Sequence, residues 1–183
     1  NKSAASVQDL GSSFKYIGPV ASAVGMSLED TAAALALLAN AGIKGESGGT
    51  AIRSMLASLL NPSKRAAEAM EDLGISVKDS TGHLVPMAEI LNRLQPLQEH
   101  TAEGFKIFGK RFSDVLPLLK AGSANFNELS EAMKHASENK EAEKLASRLF
   151  TGWNAALESF RGSVETTMIK LGSVLSGPLS AIL

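Results

Sequence analysis

Two adjacent residues, Glu46 and Ser47, have the types a hydrolytic site needs, and both lie in a glycine-rich stretch running from Ala36 to Arg53. Gly45-Glu46-Ser47-Gly48-Gly49 satisfies G-x-S-x-G, the pattern of a nucleophile elbow, in which a sharp strand-to-helix turn projects the serine hydroxyl toward oxyanion donors. Glu46 offers a second chemistry, because a carboxylic acid of raised pKa can protonate a glycosidic oxygen. The third reading is a corner between packed helices. Gly42 and Gly45 would then allow positive φ where one helix ends, while Gly48 and Gly49 let the next begin close to its neighbour's backbone.

The elbow formula works only when a strand enters, and here a helix-forming run, Ala36 to Ala41, enters instead. Glu46-Ser47-Gly48-Gly49 resembles the catalytic Glu-Ser of lytic transglycosylases, which cleave peptidoglycan. Those enzymes share a downstream Gly-Leu-Met-Gln and a helix-borne tyrosine lining the sugar groove; nothing after Thr50 reproduces either. The single tyrosine, Tyr16, lies upstream. His83, His100 and His135 lack the spacing of a zinc face, apart from His135 with Glu131 and Glu138 on a charged run that reads as solvated surface. Gly-Lys-Ser and Gly-Lys-Thr are absent, so no phosphate loop is present. No catalytic, metal-binding or cofactor-binding residue is assigned, and Gly42, Gly45, Gly48 and Gly49 are read as structural turns.

The elements around this corner follow from composition. At 183 residues, the chain can bury roughly 70% of the surface its unfolded form exposes. It has no cysteine, hence neither disulfides nor thiolate metal sites. Eighteen Lys and Arg against 19 Asp and Glu give a net charge of −1, with the basic residues scattered among acids, which argues against a nucleic-acid surface. No window approaches the run of about 18 apolar residues that spans a membrane. Aromatics are few, while Ala, Leu, Ser and Gly abound, which favours an all-α class of closely spaced helices. The segment starts at Asn1 and ends at Leu183 within an apolar pattern, and is read as a piece of a longer polypeptide.

Periodicity and punctuation predict a first helix over 7–24, interrupted near Gly18-Pro19, because proline removes a donor and disfavours helix in its predecessor. Ser27 caps a second, from Leu28 to Asn40. After the glycines, Ile52, Met55, Leu56, Leu59 and Leu60 follow helical spacing. Asn61-Pro62-Ser63 ends that run, and a further helix reaches Leu73, with Gly74 suited to a left-handed stop. Residues 75–85, with a four-residue loop Asp79 to Gly82, read as a small β-hairpin. Helices are then predicted over 87–97, 102–108, 115–121 and 126–137, stopped by Gly109 and Gly122.

The last stretch carries an eleven-residue repeat: Leu149, Phe160 and Leu171; Trp153, Val164 and Leu175; Leu157, Met168 and Leu179. That period, about 3.67 residues per turn, keeps one apolar stripe on one side of a straight or slightly right-handed helix. The predicted division is a helical core over 1–140 and a long amphipathic helix over 141–183. Leu149, Trp153, Leu157, Phe160, Val164, Met168, Leu171 and Leu175 are candidates for self-association into a trimer or hexamer.

Several blocks recur together in an order that resembles the core region of phage tail tape measure proteins. They are Leu37 to Gly45, Gly49 to Arg53, Leu60-Asn61-Pro62-Ser63, Leu73-Gly74-Ile75, Asp79 to Gly82 and Phe108-Gly109-Lys110-Arg111, followed by Leu116, Leu118 and Leu119. The resemblance covers approximately residues 21–150. It implies a structural component of contractile or long flexible tails, present in several copies in the lumen of the tail tube after assembly in the bacterial cytoplasm. Its length would set tube length, and it would leave ahead of the DNA at infection. The partners it implies are further copies of itself, the tail tube protein, a tail assembly chaperone and the host cell envelope, with no small-molecule substrate and no sequence-specific nucleic acid. Other readings stay open: a helical adaptor or effector binding through the Trp153 stripe, a membrane-active segment at 171–183, or a peptidoglycan-cleaving module.

Overall fold

The computed structural model of the chain describes residues 7–138. Among them the class is all-α. The helices are α1 (Val7–Ala23), α2 (Leu28–Asn40), α3 (Gly45–Leu60), α4 (Lys64–Asp72), α5 (Met87–Arg93), α6 (Thr101–Phe108) and α7 (Phe112–Glu138), with 3-10 turns at Gln95–Gln98 and Gly109–Arg111. The long helix expected over 141–183, with its self-association stripe, lies outside the described residues.

Local chemistry sets the boundaries. Ser27 and Ser63 precede α2 and α4 in extended conformation, and their hydroxyls accept from Asp30 N and Ala66 N, satisfying donors that each first turn leaves open. Three helices end in the same device. After α1, α2 and α4 a glycine takes φ of +71, +89 and +63 (Gly25, Gly42 and Gly74), and the next residue donates back into the helix. Met26 N reaches Ala21 O, Ile43 N reaches Leu38 O, and Ile75 N reaches Met70 O, at 2.8–2.9 Å. This is the Schellman pattern, and a β-carbon at each glycine would be strained by φ alone.

Alanine content explains the layout. Every residue from Thr31 to Leu38 is buried, so α2 is enclosed on all sides rather than along one stripe. The small side chains at Ala32, Ala33, Ala34 and Ala36 let α7 and α3 approach it. Around it, α1 lies along α3, α7 along α2, α4 against α6 and α5 against α7. Phe14, Ile17, Leu38, Ile52, Met55, Leu56, Leu59, Phe112 and Phe126 fill the space between.

Two expectations need correction. The helix does not break at Pro19; α1 runs through it. Pro19 and Lys15, whose carbonyl loses its donor, are both exposed, so water can take that carbonyl. The β-hairpin is reduced to one antiparallel bridge, Lys78 to Leu84, and no strand occurs among the described residues. The turn itself is present: Asp79 N donates to His83 O at 2.8 Å and Val85 N to Val77 O at 3.0 Å. An isolated pair of strands this short is marginal. Its alternate residues Ile75, Val77 and Val85 turn into the helical core, and Arg93 takes the Ser76 carbonyl from the side.

Candidate functional site

The glycine-rich corner joins α2 to α3 and seats α1 on both. Gly42 ends α2 and Gly45, at φ +57, opens α3. The buried Ser13 hydroxyl of α1 donates to the Gly45 carbonyl at 2.6 Å. One turn later the backbones almost touch: a β-carbon at Gly49 would stand 2.3 Å from Ser13 O, and one at Gly48 would stand 3.1 Å from Ile43 O. The missing β-carbon at Gly49 lets α1 and α3 meet backbone to backbone, which a larger residue allows only by displacing them, and the one at Gly48 lets the connecting turn lie close against α3.

Glu46 and Ser47 lie on the outside of this corner, both exposed in the first turn of α3. A helix and a glycine turn lead into Ser47, where an elbow would need a strand. Glu46 sits where a carboxylate complements the helix dipole. Tyr16, upstream in the chain, is nonetheless its neighbour. Its hydroxyl bonds to the Glu46 carboxylate, which raises the phenol above its ordinary range; desolvation and the nearby negative charge act in the same direction, and Arg53 opposes them. The Arg53 guanidinium lies 6.0 Å from the centre of the Tyr16 ring. Sequence spacing gave no sign of this trio, since Tyr16 and Glu46 meet only because α1 crosses α3 at Ser13.

The cavities lie elsewhere. One of about 280 Å³ is bounded by Val24, Met26, Leu56, Val85, Met87 and Ile90, with Asp30 at its edge. A shallower apolar groove runs between α4 and the bridged turn, past Leu59, Pro62, Met70, Ile75 and Val77. Neither is lined by Glu46 or Ser47. His83 belongs to the turn at 79–83, where its Nδ1 shares a hydrogen bond with Thr81 Oγ1 at 2.8 Å. His100 precedes α6 and His135 lies on α7. Among the described residues no three His, Cys, Asp or Glu gather as metal ligands, and no helix is long and apolar enough to cross a membrane.

Comparison with known proteins supplies what the geometry leaves open. The family model for phage-related minor tail proteins matches residues 1–151. The chain is similar to the tape measure protein of Pneumococcus phage Dp-1, 29% identical over 185 residues, covering 97% of this chain and 16% of that protein. It is also 35% identical over 153 residues to the probable tape measure protein of Escherichia phage P2, covering 78% of this chain and 19% of that one. No solved structure matches. The chain belongs to the phage-related minor tail protein family and represents a tape measure region of a phage tail. It spans less than a fifth of the length of either relative.

Proposed function

We propose that the chain is a helical module of a ruler protein that helps set tail length during assembly and leaves ahead of the DNA at infection. The observation that carries this reading is the match of nearly the whole chain to a tape measure protein. The corner supports it: its glycines are used to bring α1 onto α3, and the exposed Glu46 and Ser47 face no cavity described above. In this reading residues 1–140 form a folded core and 141–183 a long helix. The stripe from Leu149 to Leu175 joins copies of the chain into a trimer or hexamer, which lies in the lumen of the tail tube. Its other partners are the tube protein, a tail assembly chaperone and, at infection, the host envelope.

The contact between Tyr16 and Glu46 favours one rival, a peptidoglycan-cleaving site, because it joins an acid and a tyrosine in space. Two measurements separate the readings. Sedimentation of the purified chain is expected to give a trimeric or hexameric mass that falls to a monomer when Phe160→Asp and Val164→Asp are combined. A parent chain that stays monomeric at high concentration points to an adaptor instead. Peptidoglycan turnover that disappears in Glu46→Gln would establish the enzyme and overturn the structural reading.

A further inference from the structure

Residues 112–138 are helical on both sides of one residue. Gly122 alone leaves helical geometry, at φ +76 and ψ +171, in a region of backbone space that is essentially restricted to glycine. Two carbonyls beside this break accept from side chains. Gln98 Nε2 donates to Leu119 O at 3.0 Å, and Asn125 Nδ2 donates to Ala121 O at 2.7 Å. In an uninterrupted helix the same two oxygens would accept from Ser123 N and Asn125 N. The backbone past the break is held by Ser123 to Asn92 and by Ser130 to Asp30 of α2, and by the buried side chains of Phe126 and Met133.

We propose that Gly122 is a two-state hinge, latched in its bent form by Gln98 and Asn125, which converts 112–138 into one continuous rod when the latch is released. In the straight form both carbonyls have a backbone donor four residues on, so releasing the side chains leaves no orphaned acceptor. A continuous 27-residue helix is about 40 Å long. Its formation lifts Phe126 and Met133 off α2 and uncovers that buried helix, which is why the bent form dominates in the free protein. This inference goes beyond the ruler reading and does not depend on it.

A substitution can separate the two states because space is not the obstacle: a β-carbon at Gly122 would meet only Gln95 Nε2, at 3.9 Å. Alanine there is strained in the bent form and favoured in the rod. The chain has no cysteine, so spin labels can be placed uniquely through Ser113→Cys and Glu131→Cys, both exposed positions. In the full chain the parent is expected to give one short distance. Gly122→Ala is expected to add a component near about 27 Å, the length of 18 helical residues, without loss of helical circular dichroism. Gln98→Ala, which removes only a latch, should add a smaller fraction of the same component. Gly25→Ala, at a comparable φ elsewhere, should lower the melting temperature and leave the distance alone. The hinge is overturned if Gly122→Ala and Gln98→Ala both keep the single short distance, or if Gly25→Ala lengthens it equally. Should Gly122→Ala unfold, Gln98→Ala alone decides by the same distance.

Discussion

A methyl group added at Gly49 would stand 2.3 Å from the Ser13 carbonyl oxygen, so Gly49→Ala must push α1 away from α3. Overpacking of this kind costs about 1–3 kcal/mol, and denaturant titration should show it as a lowered midpoint. Gly42→Val meets open space but must adopt φ +89, and a loss of more than ~1 kcal/mol is expected there from strain alone. The outer residues respond to pH with opposite signs. Hydrogen bonds from the Thr81 side chain and amide, and from His83 N, hold Asp79 below its ordinary value. Its stabilisation of the turn is therefore complete above the ordinary aspartate range and lost as pH falls through the lowered value. Amide exchange at Thr81 and His83 should accelerate in that acid window, and in Asp79→Asn the step should vanish. Tyr16 behaves conversely. Its bond to Glu46 stabilises the fold below the ordinary phenol range and is lost as pH rises through the raised value. Glu46→Gln should bring the tyrosinate absorbance titration back toward the ordinary range.

At the scale of elements, caps and aromatic contacts do the fixing. Ser63→Ala leaves Ala66 N without its partner and should cost about 1 kcal/mol in thermal melts, while the fold persists. Gly104 lets α6 lie against the Phe112 ring, which also meets Phe105 edge-on at 5.2 Å and stacks on Phe108 at 6.3 Å. The ends of α2 were legible because Ser27, Asn40 and Gly42 act over a few residues, and so was the stop at Gly74. Pro19 misled because the break it signals is cheap when the freed carbonyl reaches water, and exposure is a tertiary property. The hairpin misled for the converse reason: its turn is local, but a strand needs partners that the helices around 75–85 do not supply. Enclosure of α2 on all faces was also hidden, since alanine carries little signal about which side is covered. At the corner, the residues that α1 brings in, Ser13 and Tyr16, are some thirty positions away from their partners, beyond the reach of any spacing rule.

For the whole molecule, function was legible through the order of short blocks shared with a family and not through any constellation of reactive groups. What the described residues add is the physical reason those blocks hold together: glycine stops, serine caps and an alanine helix that others can surround. The ruler reading makes its claim on length, and length can be counted. In the full-length protein, duplicating residues 149–181 adds three eleven-residue units, so the apolar stripe keeps its register. In the helix proposed over 141–183 each residue would add about 1.5 Å, so tails measured by electron microscopy on virions carrying the duplication should be longer by about 50 Å. Tails of parental length, on particles that contain the longer protein, would contradict the assignment of this segment to a ruler.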